Sequence, residues 1–342
     1  MRSLLFQVDG KLPNYALMRL STWLKSRKEQ VLFSNDISAA PTDVDSVYLS
    51  SIFDTSHQRR AALKLKYPDA ITGGDGYFPV WRDFTIIGRD QGSNLREQIT
   101  DCDPEQLAPD YSLYPNFTAS LGYSARGCRL DCGFCRMKTR EGNARTVRRL
   151  DQLWRGDPHP RHVFLLDNDF FGQEGWREFL SDAIRGQFKI CFNQGINVRL
   201  MNAEQARLLA QVFYSDDRFE RRRLYTAWDS QRDEGIFSDR IVMLREAGIP
   251  SHKIMVYMLI GYKGPRNEPD ERPWSEQEEG VLYRYHKLLA LGCKPYPMVY
   301  DASLKPAKIF QRWVVRRYYK VCKWEEFDDY VSWKRRSAAA AA

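Results

Sequence analysis

Directly behind Pro13, apolar residues recur three and four apart at Ala16, Leu17, Leu20 and Leu24, which predicts a helix with Pro13 as its first residue. Short apolar or β-branched runs follow at Val31–Phe33, Val47–Phe53 and Ala70–Ile71, the last leading into Gly73-Gly74. A helical stretch, Ser56–Lys66, separates the last two runs, and strands alternating with helices argue for a small parallel sheet. Between Arg89 and Pro115 the chain is rich in Asp, Gln, Pro and Gly, which reads as a linker.

From Asn116 the alternation becomes regular. Strands are predicted at Thr118–Tyr123, His162–Leu166, Lys189–Asn193, Leu224–Trp228, Lys253–Ile260 and Pro295–Tyr300. Helices are predicted between them at Arg145–Trp154, Glu174–Arg185, Ala203–Phe213, Asp233–Ala247 and Ser275–Leu291, with a last one near Ala307–Tyr319. The expected fold class is α/β: a partial (β/α)6 TIM-like barrel behind a smaller α/β domain. In such barrels the working residues sit where strands end and loops begin. The division is a first unit at 1–92, a linker at 93–115, the barrel at 116–304 and a basic, aromatic helical segment at 305–337. A poly-Ala run at 338–342 carries no side-chain information.

Composition narrows the class. No run of 18 apolar residues occurs, so no membrane span or membrane partner is expected, and Met1–Gly10 lacks the pattern of a secretory signal. Seven cysteines, three of them within eight residues, do not make a disulfide framework; they favour a reducing, cytoplasmic setting and a metal site. The net charge of +8 is unevenly spread. Arg126–Arg149 holds eight basic residues against two acidic, and Lys305–Arg336 ten against four. Such clusters suit an anionic small molecule or a nucleic acid, and equally a solvated face.

The chemistry concentrates in Cys128-Arg129-Leu130-Asp131-Cys132-Gly133-Phe134-Cys135, a C-x3-C-x2-C spacing just past the first barrel strand. Thiolates suit iron–sulfur clusters and zinc. Structural zinc wants four protein ligands, and neither a fourth Cys nor a His lies in this loop. Three cysteines on a [4Fe–4S] cluster leave one iron open.

At these residues the chain resembles the radical S-adenosylmethionine (SAM) superfamily, with Phe134 as the aromatic before the third cysteine. The resemblance implies that Cys128, Cys132 and Cys135 hold a [4Fe–4S] cluster whose open iron chelates SAM. An electron from an external donor of flavodoxin or ferredoxin type then cleaves SAM to methionine and a 5′-deoxyadenosyl radical, which abstracts hydrogen from a substrate. After the second strand, Asp167-Asn168-Asp169 stands where family members carry a Gly-Gly-Glu-like motif that binds the SAM amine. A carboxylate suits that role, and so does helix N-capping suit these residues. Asn193-Gln194-Gly195-Ile196-Asn197-Val198-Arg199 resembles an Asn-Gln-Gly-x-x-x-Arg stretch of one branch, in which Arg199 would pair with the SAM carboxylate; the alternative is a surface arginine. Asp229, closing the fourth strand, would accept from ribose hydroxyls or cap a helix, and Tyr257–Gly261 would pack adenine or serve only as core.

The first ninety residues resemble the Rossmann-like cobalamin-binding domain that precedes many such barrels, with Gly73-Gly74-Asp75-Gly76 in the place of its Gly-Gly turn. No Asp-x-His-x-x-Gly motif occurs and His57 is the only histidine before His159, so histidine-ligated cobalamin is not expected. That leaves a degenerate or substrate-recognition domain, or cobalamin held without that histidine. Two substrate classes follow: a small molecule or peptide, or a nucleic-acid base. The second rests on the Arg-rich run and on Arg312, Arg316, Arg317, Lys320 and Lys323 interleaved with Trp313, Tyr318, Tyr319, Trp324 and Trp333. A metal-binding module without catalysis is the third reading.

Overall fold

The computed structural model describes residues 1–74, 101–262 and 274–327, with side chains described from 280 in the last stretch. These form two compact units, divided between Thr118 and Ala119. Asp75, Gly76, residues 93–100 of the expected linker, Trp333 and the poly-Ala run lie outside the described residues.

The first unit is built on a strand that the periodicity reading passed over. Strand β1 (Arg2–Gln7) is buried along nearly its whole length. Leu4 and Phe6 pack on one face, with Leu49, Leu63 and Tyr67, while Leu5 packs on the other, with Leu17, Leu20 and Leu24. A strand covered on both faces reads as an unbroken apolar run, here Leu4-Leu5-Phe6, with no alternation to detect. Helix α1 (Tyr15–Ser26) begins two residues later than expected: the Asn14 side chain accepts from Leu17 N–H and caps it, which leaves Pro13 outside the helix. Strand β2 (Gln30–Ser34) is followed by β3 (Ser46–Ser50), which stops short of the exposed Ile52 and Phe53. Helix α2 (His57–Lys66) and β4 (Ile71–Gly73) complete the unit. All pairings are parallel, in the order β2-β1-β3-β4. The order reverses between β1 and β3, as in doubly wound sheets.

Residues 101–115, expected as a linker, are strapped to this unit. Asp110 accepts from Ser21 Oγ and Lys25 Nζ, both at 2.6 Å, and Tyr114 donates to Gln7 Oε1 at 2.7 Å while accepting from Asn14 N–H.

In the second unit all six expected strands are present. They are β5 (Ser120–Gly122), β8 (His162–Leu165), β9 (Lys189–Phe192), β11 (Leu224–Ala227), β12 (Ile254–Ile260) and β13 (Lys294–Val299). Between β5 and β8 lie β6 (Ala125–Arg126), α3 (Met137–Glu141), β7 (Arg145–Thr146) and α4 (Leu150–Leu153). The helix expected over Arg145–Trp154 is therefore a strand residue pair and a single helical turn. Arg145 and Thr146 pair antiparallel with Arg126 and Ala125, closing residues 127–144 into one loop. Helices α5 (Trp176–Arg185), α6 (Ala203–Gln211), α7 (Glu234–Glu246), α8 (Trp274–Ala290) and α9 (Lys305–Val315) occupy the remaining connections, with a short β10 (Phe213–Tyr214) beside β9.

The six main strands pair parallel as β5-β8-β9 and β11-β12-β13. A bridge between Ile196 and Thr226 joins the two groups, so the strands follow one another in chain order. Among the described residues β13 does not pair back onto β5, and the finding is a row of parallel strands with helical crossovers, short of a closed barrel. Strand β12 alternates: Ile254, Val256, Met258 and Ile260 enter the core shared with the helices, while Met255, Tyr257 and Leu259 face the other way. Among the described residues no helix is long and apolar enough to cross a membrane.

Candidate functional site

The cysteine loop leaves β6 through Gly127, whose φ of +83° suits glycine; a Cβ there would stand 2.2 Å from the Asn143 carbonyl oxygen. The Glu141 carboxylate accepts from Gly127 N–H at 3.0 Å and from Arg126 at 2.7 Å, while the Arg126 guanidinium lies 3.6 Å from the centre of the Tyr123 ring. Cys128, Cys132 and Cys135 are all free thiols and all half-buried. Cys135 N–H donates to the Cys132 carbonyl at 2.9 Å, folding the second half of the motif into a turn. Burial pushes the Cys128 thiol up, and the charges of Asp169, Cys132 and Cys135 push the same way. Burial also raises Cys132, opposed there by Arg199. Among the described residues no three His, Cys, Asp or Glu side chains stand in an arrangement that would hold a single metal ion; the three thiols share a loop and lie in each other's field.

Four other strand ends reach this loop. After β8, Asp169 is fully buried and takes Arg129 in a fork, Nε at 2.7 Å and Nη2 at 2.9 Å, while also accepting Arg129 N–H. The pair ties the residue after Cys128 to the end of β8. After β9, Arg199 donates to Asp233 at 2.6 Å and approaches Cys132 Sγ at 3.8 Å. After β11, Asp229 accepts from Leu259 N–H at 3.1 Å, and its charge falls on Cys132. After β12, Gly261 turns with a φ of +78°, and Tyr262 meets the Phe134 ring edge-on at 5.7 Å. Tyr300, after β13, packs on Tyr262 in turn at 4.9 Å.

Several expected residues sit elsewhere or act differently. Asp167 is turned inward, away from the loop: it accepts from Ser124 N–H at 2.8 Å and from Ser124 Oγ, to which Gln173 also donates. Its role is to hold β6 against β8. Asn193 contributes its backbone carbonyl, which accepts from the Tyr257 hydroxyl at 2.8 Å, and the Gln194 side chain is exposed. Tyr257 stacks on Tyr225 and meets Tyr296 edge-on. Asn168 is the member of the Asp-Asn-Asp trio whose side chain makes no hydrogen bond within the described residues. The periodicity reading missed Arg129, Asp233, Tyr262 and Tyr300 because their partners are brought in by the fold. It also missed Arg284 on α8, fully buried, which donates to the carbonyls of Trp228 and Leu259 at the ends of β11 and β12.

In the first unit the chain segments that leave β1 and β3, at the order reversal, are tied to each other. Asp9, after β1, accepts from Ser51 Oγ at 2.6 Å and Ile52 N–H at 2.7 Å, after β3. His57 is exposed at the start of α2.

Two of these contacts make predictions. A Cβ on Gly172 would stand 2.5 Å from both Asp169 Oδ2 and Ala144 Cβ and 2.9 Å from Arg129 Nε. Gly172→Ala therefore strains the Arg129–Asp169 fork and is expected to cost about 1–3 kcal/mol, read as a lower urea midpoint at unchanged m-value. Burial raises the Asp167 carboxyl to about 7, against hydrogen bonds from Ser124 that pull it down. A raised carboxyl contributes stability that is complete below its unfolded value and lost as pH climbs through about 7. Asp167→Asn is expected to remove that loss, on the order of 3–4 kcal/mol between pH 4 and pH 8. Urea melts of both proteins across that range check it; parallel pH profiles would refute it.

No protein-family model matches the chain, and no curated protein does.

Proposed function

We propose that this chain is a radical SAM enzyme acting on a small molecule or peptide. The observation that carries the reading is the C-x3-C-x2-C loop at the C-terminal edge of a row of parallel strands, contacted there by residues from β8, β9 and β12. A partial (β/α)6 barrel is the architecture that this order of six strands supports. The donor set fits the cluster: three free thiols on one loop, two guanidiniums beside them, and no fourth cysteine in that loop. The chemistry such a cluster supplies when bound is one-electron cleavage of the SAM sulfonium to a hydrogen-abstracting adenosyl species.

The chain's own residues hold and shield that centre. Arg129 and Asp169 fix the first cysteine's neighbour, and Arg199 brings positive charge to Cys132, which favours the thiolate. Asn168 offers an uncommitted amide to the SAM amino acid moiety. Asp229 and the strand end at Gly261 serve the adenosyl half, and Phe134, Tyr262 and Tyr300 form an aromatic wall on one side.

The small-molecule or peptide reading is favoured over base modification because Trp313 is buried and Tyr318, Tyr319 and Trp324 are half-buried against the core, which leaves less ring surface for stacking. Arg126 and Arg129 are likewise engaged within the fold. Anaerobic reconstitution with iron and sulfide tests the proposal. About four irons and four sulfides per chain are expected; a stoichiometric zinc that resists displacement would reject it.

A further inference from the structure

At the opposite edge of the same strands, positive charge collects. Arg223 directly precedes β11, Lys253 directly precedes β12 and Lys294 opens β13. The parallel register sets Leu224 beside Ile254 and Met255 beside Lys294, so the three cations lie on neighbouring strands at one end of the sheet. Neighbouring strands are ~4.8 Å apart, so the row spans roughly 10 Å. Arg221 and Arg317 flank it: together with its own desolvation, the charges of Arg223, Lys253, Arg317 and Arg221 fall on Lys294 and hold its ammonium below the usual lysine range. Among the described residues none of these five forms an ion pair with a carboxylate. Asp216 and Asp217 lie near this edge: Asp216 accepts from the backbone N–H of Glu220 and Arg221, and the charges of Asp216, Asp217 and Arg223 all reach Tyr225, so the five cations outnumber the carboxylates beside them.

Like charges gathered this closely repel one another and gain when an anion joins them. A single phosphate is satisfied by two or three donors, whereas this row is as long as several charges of a nucleic-acid backbone, which in a duplex come every ~1.7 Å of axis. Of the neighbouring rings, Phe213 lies against Lys189 and Arg222 and Phe219 stacks on His162, so these two are engaged within the fold. We propose that the edge formed by Arg221, Arg223, Lys253, Lys294 and Arg317 binds the phosphodiester backbone of nucleic acid without reading its sequence. The seven residues of β12 separate it from the cysteine loop by roughly 23 Å, so this surface anchors the protein and leaves the chemistry at the other end.

The test is fluorescence anisotropy of labelled 20-nucleotide single strands and duplexes of two unrelated sequences, over a salt series. Wild type is expected to bind both sequences alike. Its affinity should fall log-linearly with salt at a single-strand slope of about −2 to −3.5, for three to five phosphates. Lys253→Glu/Lys294→Glu should lower affinity at least about tenfold and flatten the slope by about 1.4. The control Lys11→Glu/Arg207→Glu, with the same change in net charge at exposed positions elsewhere, should bind like wild type, and circular dichroism melts confirm that both variants fold. Equal loss in both variants would overturn the proposal, as would no binding by wild type at low salt. Displacement by millimolar inorganic phosphate as readily as by oligonucleotide would also overturn it, assigning the edge to small anions. Iron content and SAM cleavage do not enter the readout, so the anchor and the radical chemistry stand or fall separately.

Discussion

Cys132→Ala is expected to abolish iron retention and SAM cleavage while leaving a folded protein. Its thiol is half-buried in a loop held by contacts that do not involve it: the Glu141 bonds to Gly127 and Arg126, the Arg129–Asp169 fork and the β6–β7 pairing. Removing the sulfur takes away one of three donors, and two thiolates do not hold a cubane that needs three. The loss in activity should exceed about a thousandfold. Its thermal midpoint without metal should lie within a few degrees of wild type's, because a half-exposed side chain in a loop carries well under about 1 kcal/mol of packing. Cys191→Ala is the matched control. That thiol is fully buried on β9, away from the loop, and its replacement is expected to cost stability while sparing iron. Iron assays and melts of the two variants side by side separate a ligand from a core residue. Retention of wild-type iron by Cys132→Ala would remove this loop from the account.

The second large effect belongs to Asp169→Ala. Asp169 is fully buried and holds the Arg129 backbone and guanidinium together, so the variant leaves a guanidinium without its carboxylate beside the cysteine loop. Breaking a buried pair by removing one partner costs ~3–5 kcal/mol. Arg129 keeps about a third of its side chain exposed and regains some water, which places the expected loss near the lower end, about 3 kcal/mol. Unlike Cys132→Ala, this variant should show its effect in the metal-free protein, as a lower urea midpoint, and reconstitute with less iron. Asp169→Asn keeps the shape and one acceptor, and should fall between. A midpoint unchanged in Asp169→Ala would mean that the fork does not position the loop.

Where one side chain decides an element, the sequence was legible. The six strands from Ser120 to Val299 were found because each is a short apolar run bounded by turn residues, and the cysteine spacing marked its loop without any neighbour. Strand β1 was passed over because Leu4-Leu5-Phe6 is buried on both faces and so has no period. Arg145–Trp154 had helical composition, yet Arg145 and Thr146 are drawn into pairing with Ala125 and Arg126, a long-range demand that local pattern does not carry. The same holds inside the site. Asp167, Asn168 and Asp169 look alike in sequence, and only the fold distinguishes them: Asp167 turned to Ser124, Asp169 to Arg129, Asn168 left uncommitted. The aromatic and basic residues after Lys305 suggested a surface, but α9 must bury a face, and Phe310 and Trp313 are that face.

The most direct test of the central claim is anaerobic incubation of the reconstituted protein with SAM and dithionite, followed by chromatography for 5′-deoxyadenosine. The account predicts 5′-deoxyadenosine and methionine in equal amounts, formed even without substrate and absent from Cys132→Ala. A protein fully loaded with iron and sulfide that leaves SAM intact under these conditions would contradict it.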